Sequence, residues 1–333
     1  MTTTTARPGL IWMALITVYV IWGSTYLAIR VVVEADIPPI LGMGIRFAVA
    51  GTLLFVALLL HGQRHLADGR PPVLRISTRE LRGAAIMGAL LLMFGNGVVA
   101  IAEQTVPSGL TALIIGAIPL WFVLLRVLAG ERPRTLTWLG ISVGLGGLTM
   151  ISLSRGGIDG IETWGVLLLF LATISWSFGS FISPRLGLPR NGFVASTYEM
   201  IIAGFAMITI SVISGEAARL DVATVDPSGW IALVYLIVFG SLLGFTAYVY
   251  ALAHAPLSLV GTYAYVNPVV AVLLGWAILS EPVTGIVILG GALLVGGVAL
   301  VVSAERRPPR AAVANSTTSR RSRRRLPART QQG

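Results

Sequence analysis

Long apolar runs broken by short polar stretches organise this chain from one end to the other. A helix needs about 20 apolar residues to cross the hydrocarbon of a bilayer. The pattern predicts ten such spans, at 10–30, 40–60, 83–102, 107–127, 135–153, 164–183, 193–214, 230–251, 257–278 and 283–303. The first run, from Leu10 to Ile29, is too long for the apolar part of a signal peptide, and no small-x-small cleavage site follows it. The polar stretches set the orientation. With the N-terminus in the cytoplasm, Arg64, Arg70, Arg75, Arg79 and Arg82 fall inside, as do Arg132, Arg134, Arg185 and Arg190. The outer loops then hold Glu34, Asp36, Glu103, Asp159, Glu162, Glu216, Asp221, Asp226 and Glu281, and only Arg30, Arg155 and Arg219 break the rule that basic loops stay inside.

The two halves repeat one another. Pro107-Ser-Gly-Leu-Thr-Ala and Pro256-Leu-Ser-Leu-Val-Gly each open a span, and Pro119 and Pro268 follow at the same distance. Glu131-Arg-Pro133 and Glu281-Pro282 close those spans, and the pairs Gly146-Gly147 and Gly296-Gly297 come next. Trp22 aligns with Trp176, and Ala50-Gly51 with Ala203-Gly204, which sets Arg46 against Glu199. An odd number of spans per copy turns the second copy upside down. Inverted repeats of this kind are a recurring plan of secondary transporters. The expected fold is therefore an all-α polytopic membrane protein, ten transmembrane helices in two inverted five-helix repeats. Residues 1–9 form a cytoplasmic N-terminus, 10–153 and 164–303 the repeats, and 304–333 a disordered Arg-rich cytoplasmic tail.

Composition agrees with the pattern. The 333 residues are 55% hydrophobic and 11% charged, less than half the charge of an ordinary soluble domain, about 25%. Cysteine is absent and histidine is limited to His61, His65 and His254, so thiolate and histidine-cluster metal sites are not expected. All basic residues are arginine, which removes the lysine of a phosphate-binding P-loop. The formal charge of +10 does not mark a nucleic-acid binder, because much of it lies in the tail from Arg306 onward, with no folded module beside it. That tail is expected to touch anionic lipid heads.

Trp22-Gly-Ser-Thr25, Arg46-Phe47, Glu103-Gln-Thr-Val-Pro107-Ser-Gly109 and Glu131-Arg-Pro133 resemble the first repeat of the EamA family in the drug/metabolite transporter superfamily. Tyr263-Ala-Tyr-Val-Asn267-Pro268 and Glu281-Pro282 resemble the second. The resemblance covers roughly residues 10–303. It implies a bacterial inner-membrane protein that exports amino acids, metabolites or drugs through a central cavity between spans 1, 3, 4, 6, 8 and 9.

Candidate site residues follow from polarity placed where lipid or packing would favour apolar groups. Pro119 and Pro268 interrupt helices and free the carbonyls of Ile115 and Ala264, which then bind substrate, flex as a gate, or are satisfied by neighbouring helices. Trp22 and Tyr26 share a face, as do Thr246 and Tyr250, and Tyr263 and Asn267. With Trp176 they form an aromatic and polar set suited to amphipathic or cationic solutes, the alternative being an interfacial belt. Asn96, Ala100 and Glu103 share another face, with Glu103 either carrying protons or an amine, or sitting as an interfacial acid. Arg46 and Glu199 are costly inside a membrane unless they pair across the pseudo-twofold axis, line a wet cavity, or snorkel to a span end roughly six residues away. Gly140, Gly144, Gly146 and Gly147, and Gly290, Gly291, Gly296 and Gly297, allow close helix packing within the bundle or between protomers of a homodimer.

The leading reading is a secondary exporter working by alternating access on a small-molecule substrate within the lipid bilayer, with protons as a coupling ion or simple exchange. An uncoupled facilitator or channel is the alternative. An intramembrane enzyme would need paired aspartates, a metal cluster or a Ser–His dyad within the spans, and none is visible. No cofactor is expected.

Overall fold

The computed structural model describes residues 8–67, 74–130, 132–153, 163–255, 257–260 and 262–305. Glu131, Asp159, Glu162, Arg70, Arg155, Pro256 and the tail from Arg306 lie outside them. Every regular element among the described residues is helical. In chain order these are α1 (Pro8–Glu34), α2 (Pro39–Ala67), α3 (Thr78–Met87), a π-helical segment (Gly88–Gly97), α4 (Val98–Ala102), α5 (Ser108–Ile115), α6 (Ile118–Leu128) and α7 (Thr135–Leu153). Then come α8 (Thr163–Ile182), α9 (Gly192–Ile213), α10 (Pro227–Tyr235), a second π-helical segment (Leu236–Phe245), α11 (Thr246–His254), α12 (Leu257–Val260), α13 (Tyr263–Leu279) and α14 (Gly285–Glu305). Short 3-10 turns at Ser183–Arg185 and Ala217–Arg219 complete the set.

By length and composition, 7 continuous helical stretches can cross a membrane: Pro8–Glu34, Pro39–Gly62, Thr78–Ala102, Ser108–Leu128, Thr163–Arg185, Gly192–Ile213 and Pro227–Leu252. Val266–Leu279 and Gly285–Val301 are shorter apolar helices. The three remaining expected spans fall on α7, on α12 with α13, and on α14.

Local chemistry sets the helix ends. Ser77 and Glu80 form a reciprocal capping box at the start of α3. Asn191 accepts the Phe193 N–H at 3.0 Å to start α9, and Asp226 followed by Pro227 starts α10. At the other end of α13, Ser280 adopts a left-handed φ of 54° and stops the helix.

The side-chain distribution is the reverse of a soluble protein. Leu128, Ile213, Trp12, Ile231 and Leu273 are exposed, while Thr25, Arg46, Glu103, Thr173, Ser177, Glu199 and Asn267 are buried. Only a lipid surround makes that arrangement favourable.

Two antiparallel helix pairs bracket the bundle. On α2 and α9, Gly44 meets Ile208 and Gly51 meets Ile201. On α7 and α14 the backbones come close enough that a Cβ on Gly140 would lie 2.7 Å from the Gly297 carbonyl, and one on Gly147 2.5 Å from that of Gly290. Gly146 and Gly296 meet nothing and point away from the bundle. The expected glycine packing is thus divided: Gly140, Gly147 and Gly297 hold α7 to α14, whereas Gly146 and Gly296 do not.

Candidate functional site

Between these pairs, α1, both π segments, α8 and α13 converge on a cavity of about 50 Å³. That holds a few waters and is far below the ~300 Å³ typical of a ligand site. The structure is therefore of a closed form, and a metabolite enters only when helices separate.

Its wall is aromatic. Trp22 sits edge-on to Trp176 at 5.6 Å between ring centres and edge-on to Tyr263 at 5.5 Å. Tyr248 lies 4.7 Å from Trp22 and 5.9 Å from Tyr263. Tyr26, Phe47, Phe245 and Asn96 also face the cavity. Arg46 is the one charged side chain among the described residues lining it. Its Nε donates to Ser241 Oγ at 2.9 Å, and its guanidinium lies 4.7 Å from the centre of the Phe47 ring.

The π segments set the indoles. A Cβ on Gly95, in the first segment, would lie 3.1 Å from the Trp176 ring, and one on Gly244, in the second, 2.8 Å from Trp22 Nε1. Each indole therefore packs on a glycine contributed by the other half of the chain. The wider π turn also offers carbonyls to side chains: Trp22 Nε1 donates to the Gly240 carbonyl at 3.3 Å, and Ser175 Oγ to that of Leu90 at 2.7 Å.

Of the sequence candidates, Trp22, Asn96, Trp176 and Tyr263 meet in this cavity, together with Arg46. Asn267 is buried behind it. With its amide turned to donate, its nitrogen lies 3.2 Å from the Tyr263 carbonyl and 3.1 Å from that of Tyr19, tying α13 to α1. Tyr250 is elsewhere, stacked on His254 at 4.3 Å, and Tyr248 takes the inward position instead. Arg46 and Glu199 do not pair. Ala48 meets Gly204 across the antiparallel α2–α9 interface, so the register sets Arg46 beside Ala206. Glu199 is then roughly 10 Å further along the axis at ~1.5 Å per residue.

The proline sites differ from each other. At Pro119 the chain truly breaks: α5 ends at Ile115, Gly116 and Ala117 turn, and α6 restarts with the proline in its first turn. Pro268 remains inside α13. The two meet in space, since a Cβ on Gly116 would lie 3.2 Å from Pro268 Cγ and 3.3 Å from the Ala264 carbonyl. Ile115 and Ile118, flanking the break, line the cavity.

Acidic residues close the end of the bundle that carries the α1–α2 turn. Glu281 accepts the Ser108 N–H at 2.7 Å and the Gly109 N–H at 3.0 Å, capping α5 from beyond the end of α13. Glu216 does the same for α2, accepting from Ile40 and Leu41 at 3.0 and 3.2 Å. Glu103, at the end of α4, is fully buried and outside the cavity lining, and neither carboxylate oxygen has a hydrogen-bond partner among the described residues.

Comparison with known proteins decides the family. The profile of the EamA-like transporter family matches residues 7–153 and again 163–303. The chain belongs to that family. It is 42% identical to the "Uncharacterized inner membrane transporter YedA" of Escherichia coli (strain K12), over 82% of this chain and 84% of that one. It is 26% identical to the "Uncharacterized transporter YoaV" of Bacillus subtilis (strain 168), over 85% of this chain and 93% of that one. One solved crystal structure superposes with a TM-score of 0.64, covering 90% of this chain and 99% of its own at 21% identity. That likeness speaks for the fold alone. The EamA-family chain is accordingly a membrane transporter, and a transporter handles a small molecule within a bilayer.

Proposed function

We propose that this EamA-family protein exports small amphipathic solutes that carry an anionic group, metabolite or amino acid in size, across a bacterial inner membrane by alternating access. The observation that carries the reading is the ring-lined cavity whose single charged side chain is Arg46. Rings accept the apolar body of a solute, and a buried guanidinium favours a carboxylate, which it grips in bidentate fashion. The aromatic set alone suits cations equally well; the arginine turns the preference to anions.

The spans form two inverted five-helix halves, 10–153 and 164–303, ten helices in all, with both termini cytoplasmic. The exchange of indole and glycine between halves, Trp22 on Gly244 and Trp176 on Gly95, supports that pseudo-symmetry. In this orientation the Glu281 carboxylate, which joins the end of α13 to the start of α5, lies on the outer face and seals the closed form outside. Reporter fusions at Gly69 and within 220–226 are expected on opposite sides of the membrane; the same side for both refutes the span count.

The direct test uses purified protein in proteoliposomes with labelled phenylacetate as the probe. Counterflow is expected in wild type and lost in Arg46→Gln. Uphill accumulation under an imposed gradient separates a coupled exporter from an uncoupled facilitator, which only equilibrates the probe. Equal counterflow by Arg46→Gln removes the case for the site.

A further inference from the structure

Two arginines stand at the start of one membrane-length stretch, and a third ends another. Arg79 and Arg82 follow the capping box at the head of Thr78–Ala102, and Arg185 closes Thr163–Arg185. Positions 79, 82, 83 and 86 share one face of α3. That face packs on the turn after α8. A Cβ on Gly187 would lie 2.7 Å from Arg79 Nε and 2.8 Å from its Cγ, and one on Gly83 3.2 Å from the Gly187 carbonyl. Arg185 is set by its own helix end: its Nη1 donates to the Phe181 carbonyl at 3.1 Å, and its guanidinium lies 4.8 Å from the centre of the Phe181 ring.

Between α3 and this turn lies a cleft of about 550 Å³, with all three arginines, Thr78, Ile86 and Leu186 in its wall. The arginines are exposed, and none is ion-paired with a carboxylate among the described residues. Glu80, the acid between Arg79 and Arg82 in sequence, is occupied by the Ser77 N–H and hydroxyl, both at 2.7 Å. Three cations therefore meet at one cleft with no anion of the protein to balance them. The wall also changes character with depth. The arginines lie at the polar end of the spans, at the level of lipid headgroups. Ile86 lies one turn deeper on the same face and is exposed, which in this bundle means turned to lipid.

We propose that this cleft binds one anionic phospholipid, with its phosphate held by Arg79, Arg82 and Arg185 and an acyl chain laid along Ile86. Guanidinium groups grip phosphate oxygens in bidentate fashion and keep their charge at every pH the membrane meets. A free anion would use the arginines and leave the apolar wall bare, whereas a phospholipid fits both. The site also joins the two halves of the chain, since α3 belongs to the first matched segment, 7–153, and the turn after α8 to the second, 163–303. A lipid seated there holds α3 to that turn from the membrane side.

The test is native mass spectrometry of the full-length protein in detergent micelles, titrated with dioleoylphosphatidylglycerol or with the zwitterionic dioleoylphosphatidylcholine. Wild type should hold one phosphatidylglycerol in clear preference to phosphatidylcholine, and inorganic phosphate in large excess should not displace it. At the energy typical of one arginine near an anionic lipid, Arg82→Gln should weaken that binding about fivefold, and the triple variant Arg79→Gln/Arg82→Gln/Arg185→Gln about a hundredfold. Arg323→Gln/Arg324→Gln/Arg325→Gln, which removes as much charge from the tail, should leave it unchanged. Equal binding of the two lipids overturns the proposal, as does an equal loss in the tail variant, which would make the binding a matter of net charge alone. Displacement by inorganic phosphate overturns it in favour of a soluble anion. Arg82 is exposed and bonded to nothing among the described residues, so its single variant decides even where the triple variant does not fold.

Discussion

Glu281→Ala removes the carboxylate that joins α13 to the start of α5, and with it two hydrogen bonds of 2.7 and 3.0 Å to the N–H groups of Ser108 and Gly109. In the closed form those donors would then be buried without partners, at about 1–3 kcal/mol each. Once that end of the bundle opens, water satisfies them. The variant therefore penalises closure by at least about 2 kcal/mol, which is roughly a 30-fold shift toward opening at that end at 1.4 kcal/mol per decade. The chain has no cysteine of its own, so one introduced thiol reports alone. Ser108→Cys places it beneath the clamp, at a fully buried side chain whose hydroxyl has no partner. The backbone N–H that Glu281 holds is unchanged by that substitution. Labelling by a membrane-impermeant thiosulfonate added outside should accelerate about 30-fold in Glu281→Ala and by less in Glu281→Gln, which keeps one acceptor. Glu216→Ala, which uncaps α2 in a different helix pair, should leave the rate nearly unchanged. Equal labelling rates in wild type and Glu281→Ala would refute the clamp as an element of the gate.

Gly147→Ala sets a methyl 2.5 Å from the Gly290 carbonyl, an overpacking of about 1–3 kcal/mol, so the Tm in detergent should fall, while Gly146→Ala, which meets nothing, should leave it unchanged. Gly244→Ala pushes on the Trp22 nitrogen from 2.8 Å and Gly95→Ala on the Trp176 ring from 3.1 Å, so both should slow phenylacetate counterflow, the first more severely, and wild-type rates in both would remove the indoles from the site. The Asp226 carboxylate is held below the ordinary carboxylate range by the Ser228 side chain and then by its backbone N–H. A pKa lower in the folded state than in the unfolded one stabilises above the ordinary range and is lost as pH falls through the folded value, so acid unfolding scans should show this dependence in wild type and less of it in Asp226→Asn.

Much of the candidate cavity lining was legible because its residues are out of place in apolar spans. Trp22, Asn96, Trp176 and Tyr263 stand out as rings and an amide where lipid or packing would favour aliphatic groups, and the structure brings all four to the cavity. The misreadings trace to helix geometry. Counting at 3.6 residues per turn set Asn96 and Glu103 on one face, but Asn96 stands in the π segment and Glu103 beyond the end of α4, and only Asn96 lines the cavity. The second π segment ends just before Thr246, so periodicity could not tell which of Tyr248 and Tyr250 turns inward. The Arg46–Glu199 pairing failed because repeat alignment identifies equivalent positions, and equivalent positions in an antiparallel pair need not be opposite ones.

The Glu281-Pro282 turn shows the same distinction from another side. As a motif it marked only the end of a span, and nothing in its neighbours names the Ser108 and Gly109 amides as its target. A contact between residues so far apart in sequence is a property of the assembled bundle, where the end of α13 and the start of α5 lie together because the two helices run antiparallel, Gly109 against Val272 and Gly116 against Pro268. The same antiparallel pair thus carries the acidic clamp at one end and the meeting of the two proline sites further along. Loosening the clamp lets the end of α5 swing, and the chain break between α5 and α6, at the cavity wall, is where that swing can be absorbed without unwinding a helix. Closure at this end of the bundle and the shape of the cavity are in this way two consequences of one helix contact.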